Sequence, residues 1–229
     1  MHIVLPITIL FGFFIFLFTL YCLSYDDFIL FRKHLTPERM FNMAFIVAFV
    51  SIFFARAFYV LFHFSSGFLN PLVFFLFPYF PGLSVAGGII GGVLFLVFYC
   101  YGQKLPNERI FDFFAFSLFS AVPFALFILV ITNKKIQVSA LAWGVIFFSI
   151  ILFLSLLHIF KKQFLKEGSL GLLSLLGISL ITFLFGFFGK TEQIIFFLNK
   201  DDFLLFAIFI TCLTIFVRQE NLIKKIRRV

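Results

Sequence analysis

The chain has 229 residues, of which 63% are hydrophobic and only 12% charged, with a formal net charge of +8. Soluble domains stop short of half apolar, so this composition excludes a water-soluble globular protein and indicates an integral membrane protein. The basic excess is accounted for by membrane topology and attraction to anionic headgroups, and implies no nucleic-acid partner.

Residues 1–6 contain no Lys or Arg ahead of the first apolar run, residues 3–24, so that run is expected to be kept as a span rather than cleaved. Further apolar runs cover residues 41–63, 83–101, 111–131, 138–160, 170–188 and 203–217. Most approach the roughly 20 residues a helix needs to cross about 30 Å of hydrocarbon. The last is shorter, and crosses only if the bilayer thins or its flanking charges snorkel outward. The expected fold is therefore all-α: a polytopic membrane protein with seven transmembrane helices, forming a single domain over residues 1–229.

Cytoplasmic loops hold the positive excess, which orients the bundle. Arg32, Lys33, Arg39, Lys104, Arg109, Lys161, Lys162, Lys166, Arg218 and the tail cluster Lys224, Lys225, Arg227 and Arg228 fall on one side, against Lys134, Lys135, Lys190 and Lys200 on the other. The expected topology has the N-terminus outside and the C-terminus cytoplasmic, with the tail cluster touching anionic lipid. Between the second and third runs lies an outer segment, residues 64–82, too apolar for a free loop and interrupted by Pro71, Pro78 and Pro81. It is expected to lie along the outer interface with Tyr79 at headgroup level.

Arg56 stands in the middle of the second run, where a charge costs roughly 2.5 to 3.5 kcal/mol and calls for an anionic or carbonyl partner. The third run opens with Leu83-Ser84-Val85-Ala86-Gly87-Gly88-Ile89-Ile90-Gly91-Gly92, two overlapping small-xxx-small registers. Such glycines serve either close helix packing or the close approach of a ligand to backbone. Helix rise places Arg56 and Gly91 at a shared depth, roughly 10 to 12 Å below the outer surface. There an Arg fork could grip a phosphodiester above the glycines, or the guanidinium could cap carbonyls.

The remaining polar residues suggest little chemistry. Cys22, Cys100 and Cys212 fit neither a metal site nor a disulfide framework and are expected to be buried packing residues. His63 marks the outer end of the second run, His158 the inner end of the fifth, and His34 a basic loop. Asp112 is expected to favour the N-terminus of the fourth helix through the dipole. It lies about 20 Å in depth from Arg56, too far to pair with it. The neighbours Asp26 and Asp27, and Asp201 and Asp202, do not face each other on a helix and read as solvated. No metal or cofactor is expected.

The succession Ala55-Arg56-Ala57-Phe58-Tyr59-Val60-Leu61-Phe62, then Asn70-Pro71-Leu72, then Gly82-Leu83-Ser84-Val85 leading into Gly87-Gly88-Ile89-Ile90-Gly91, resembles the second and third helices of bacterial prolipoprotein diacylglyceryl transferases. Asp112-Phe113-Phe114-Ala115 resembles the family's Asp-Phe-Ile-Ala, so the likeness runs over residues 45–116. The resemblance implies a multi-pass protein of the bacterial plasma (inner) membrane. It also implies a reaction that moves the diacylglyceryl group of phosphatidylglycerol to a lipobox cysteine thiol. Phosphatidylglycerol or another anionic phospholipid, and the signal peptide of a prolipoprotein, are the implied partners. Arg56, Ser84, Gly87, Gly88 and Gly91 are the expected lipid-binding residues, and the catalytic residues are unknown.

The departures from the family pattern fall on its chemistry. Ala86 stands where the family has His before the paired glycines, and residues 121–129 lack the polar segment that follows the family's fourth span. The family's opening of the fifth span survives only as Ser139 and Leu141. Thr182 and Gly186 occupy the register of an Arg and a Glu in the sixth span. Three functions follow as alternatives: an active transferase, a catalytically inactive lipid- or lipoprotein-binding relative favoured by these losses, and an unrelated small transporter. The last is disfavoured because no matched pair of broken helices is visible.

Overall fold

A computed structural model describes residues 4–25, 27, 35–64, 74, 82–132, 140–162, 165–189 and 200–220. Most of the 64–82 outer segment, with Tyr79 and its prolines, lies outside these residues. So do His34, Asp26, the loop lysines 134, 135 and 190, Ser139 and the tail cluster. The described chain is helical without strands: α1 (Val4–Tyr25), α2 (Pro37–Phe62), α3 (Val85–Gly102), α4 (Asn107–Thr132), α5 (Ala140–Lys162), α6 (Ser169–Gly189) and α7 (Lys200–Gln219). All seven are long and apolar enough to cross a membrane. The chain is thus an all-α, multi-pass membrane protein. The short seventh apolar run is extended at both ends by helical polar residues, so α7 reaches 20 residues.

Two compact units can be delineated, Met1–Asn107 and Glu108–Val229. In the first, α2 begins at a built cap: Thr36 is extended, its hydroxyl accepts from the Arg39 N–H, Pro37 opens the first turn and Glu38 complements the helix dipole. Helices α2 and α3 pack along much of their length and α1 lies more lightly on α2. The glycines explain how closely α3 approaches. A Cβ added at Gly87 would come within 2.6 Å of the Phe58 Cβ, while one at Gly91 would strike Phe54 and one at Gly92 the Ser51 hydroxyl. Packing at backbone distance is what holds helices together where lipid is as apolar as the side chains. The outward faces carry Phe14, Phe18, Phe49 and Phe98, all strongly exposed and suited to acyl chains. Cys22, expected to be buried, is exposed at the end of α1 because that helix is covered on one side only.

In the second unit a row of aromatic residues on α4 turns inward. Phe113, Phe116 and Phe119 on α4 are wholly buried, with Phe116 stacked on Phe153 of α5 at 5.1 Å and Phe113 edge-on to Phe160 at 6.0 Å. Arg109 lays its guanidinium over the Phe113 and Phe160 rings at 5.1 and 5.6 Å. Helix α6 packs against both α5 and α7.

Its start is clasped by two carboxylates. Asp112, 2% exposed, accepts from the Gly168 N–H at 2.7 Å and the Gly171 N–H at 2.6 Å. Glu220 accepts from the Lys166 N–H at 3.0 Å and the Ser169 hydroxyl at 2.7 Å. The expectation for Asp112 needs correction: α4 begins at Asn107, so Asp112 lies beyond its first turn and serves the N-terminus of α6. Its own helix already bonds internally at that point, whereas the first N–H groups of α6 have no partner inside their helix.

Candidate functional site

Arg56 is buried, 2% exposed, one and a half turns before the end of α2. Its Nε donates to the Phe74 carbonyl at 3.1 Å and one terminal nitrogen donates to the Gly82 carbonyl at 2.8 Å. Carbonyls, one of the two partner types expected for a buried cation, are present here. Carbonyl dipoles stabilise the guanidinium without cancelling its charge, since each oxygen bears only a partial negative charge.

Tyr59, three residues on and hence on the same face of α2, completes the grip. Its ring faces the guanidinium at 5.7 Å. It also lies so close to Gly82 that a Cβ there would collide with the Cζ end of the ring. Gly82 has φ +153°, a backbone region L side chains rarely adopt, so glycine is required on two counts. His63 stacks on the other reach of this cluster, its ring 4.6 Å from that of Tyr59 and 20° from parallel. His63 Nδ1 lies 3.3 Å from the Tyr59 carbonyl. A carbonyl only accepts, so this contact is a hydrogen bond in the tautomer that carries its proton on Nδ1.

Ser84 is wholly buried at the N-cap of α3. Its hydroxyl accepts from the Gly87 N–H at 3.1 Å, and its own N–H donates to the Ala55 carbonyl at 3.0 Å. The residue beside Arg56 is thereby tied to the start of α3. Gly87, Gly88 and Gly91 are brought alongside α2, but the surface they leave bare is filled by Ser51, Phe54, Ala55 and Phe58 of that helix. The guanidinium instead points to Phe74 and Gly82. Tyr59, Gly82 and Phe74 were not singled out from the sequence as site residues. The i+3 spacing of Tyr59 from Arg56 was a signal for the first, while a carbonyl partner leaves no mark in side-chain chemistry.

Ala86 is wholly buried, so no proton-transfer group stands before the paired glycines. Among the described residues no cluster of His, Cys, Asp or Glu could hold a metal ion.

The family model described as prolipoprotein diacylglyceryl transferase matches residues 3–133, more than half of the chain and a stretch that takes in α1 to α4. No curated protein matches the chain.

Proposed function

The chain belongs to the prolipoprotein diacylglyceryl transferase family, and on that footing we propose that it binds phosphatidylglycerol in the bacterial plasma membrane without transferring its diacylglyceryl group. The observation that carries the second half is Ala86: where the family's pattern supplies a histidine, this chain has a buried methyl group. Diacylglyceryl transfer needs a base to turn the incoming thiol into a thiolate and cations to hold the departing phosphate. Arg56 can supply part of the second need. A methyl group supplies none of the first.

Binding is supported by the charge retained at depth. Arg56 sits among backbone groups near the end of a span, and a phosphate forms with guanidinium bonds about twice as strong as neutral ones. In the topology expected from the basic loops, that end faces the outer leaflet, where a secreted prolipoprotein would present its lipobox. Ser84 and the glycines at 87, 88 and 91 contribute by holding α3 against α2, which sets the position of Arg56.

One observation favours a second reading, an active transferase. His63 is stacked on the same Tyr59 ring that faces Arg56, which sets an imidazole beside the guanidinium. Among the described residues it is the histidine best placed to replace the family's base.

Mass spectrometry of a lipobox peptide incubated with purified protein and phosphatidylglycerol separates the two. The expected outcome is no diacylglyceryl adduct, with lipid co-purifying with the wild type and reduced roughly tenfold by Arg56→Ala, the loss of one charged contact. An adduct that disappears in His63→Ala would replace the inactive reading by the active one.

A further inference from the structure

Arg56 is committed to backbone that a lipid would have to displace. The two carbonyls it holds lie eight residues apart in the chain, and Gly82 is pinned a second time by the Tyr59 ring. Two residues later Ser84 ties the start of α3 to the Ala55 carbonyl. The entry to α3 is thus fixed to α2 at three points, the Ala55 carbonyl, the Arg56 guanidinium and the Tyr59 ring.

A phosphate gripped side-on needs the Nε–H that Phe74 holds, and one gripped end-on needs Nη1, which holds Gly82, so either approach meets a carbonyl already in place. An N–H that points at one of these carbonyls cannot also point at a phosphate oxygen with good geometry. Charge decides the competition, because a phosphate oxygen carries a formal charge where a carbonyl carries a partial one, and low dielectric enlarges that difference.

We propose that phosphate and the carbonyls of Phe74 and Gly82 compete for Arg56, so that a bound phosphate releases Gly82 from α2 and loosens the entry to α3. This rests on the reading that Arg56 meets a lipid phosphate, and assigns that contact a conformational consequence. The carbonyl-bound arrangement is the resting state. Tyr59 and Gly82 are positioning residues: they hold the resting state without touching the ligand.

The test is hydrogen exchange of the full-length protein in a maltoside detergent, read over residues 82–88. Phosphatidylglycerol, diacylglycerol with the same chains, and soluble glycerol phosphate are added separately, and bound lipid phosphorus is measured on the same samples. Phosphatidylglycerol is expected to speed exchange at residues 82–84 by at least about fivefold through local opening, and diacylglycerol to leave it unchanged. A response to glycerol phosphate alone assigns the effect to the free headgroup; its absence assigns it to the intact lipid. Arg56→Ala is expected to exchange fast throughout and ignore the lipid. Gly82→Ala, which collides with Tyr59 but leaves the guanidinium in place, is expected to exchange fast while still retaining phosphorus. Retained phosphorus with unchanged exchange in the wild type overturns the competition and leaves lipid binding intact. No retained phosphorus overturns both.

Discussion

Both compact units bury charge against backbone, and they do so with opposite signs and different consequences. In the second, Asp112 and Glu220 accept from the N–H groups and hydroxyl at the start of α6. The N–H groups of Gly168 and Gly171 are among those a helix start leaves unsatisfied, so Asp112 answers a need the fold creates. In the first, Arg56 draws on the carbonyls of Phe74 and Gly82, one of them in the non-helical approach to α3. Gly82 lies outside any helix, so no helix end calls for a cation at its carbonyl. A charge demanded by a helix end is structural, whereas one placed against replaceable carbonyls is available to a ligand.

Substitutions test that contrast, beginning with the largest expected effect. Asp112→Ala strands the N–H groups of Gly168 and Gly171 in a dry interior and is expected to cost about 3 kcal/mol, read as a lowered unfolding midpoint in detergent. Asp112→Asn, which keeps one acceptor oxygen, should lose about half as much. An unchanged midpoint in the alanine variant would remove the clasp from the account. Gly91→Ala drives a methyl group into Phe54 and is expected to cost about 1 to 3 kcal/mol by overpacking. Arg56→Ala should cost less, about 1 to 2 kcal/mol, because the lost hydrogen bonds are offset by no longer burying a charge. Its main effect should fall on retained lipid. Were Arg56→Ala to destabilise more than Asp112→Ala while leaving lipid retention untouched, the assignment of structural and functional charge would be reversed. Gly144→Ala should stabilise by no more than about 1 kcal/mol, since nothing lies within 4 Å of the added methyl group on α5 and alanine favours helix. Together with Gly91→Ala it separates glycines that admit a neighbouring helix from those that do not.

The spans were legible in the sequence because crossing a bilayer demands length and apolarity at every position, and both are written residue by residue. The small-xxx-small registers at Gly87 to Gly92 were legible as a close-approach surface for the same reason. What fills that surface was not, since a glycine records only that something comes near. Phe54 and Phe58 fill it here. Arg56 was legible as a charge needing a partner, but carbonyls belong to every residue and no pattern marks which of them accept. Gly82 carries its significance in φ and in the Tyr59 ring, neither of which composition reveals. Asp112 was placed at the wrong helix end because the α4 boundary shifts by a turn and its partners lie 56 and 59 residues away.

Amino-acid order alone determined that seven segments are long and apolar enough to cross a membrane, that a cation lies within the second of them, and that Ala86 precedes the paired glycines. These are properties of single residues and local periodicity, which need no partner to be read. Tertiary structure decided which backbone groups answer each buried charge, how the glycines are occupied, and that His63 joins Tyr59 and Arg56. Those outcomes depend on residues distant in the chain meeting at hydrogen-bond or van der Waals distance, and only folding brings them there.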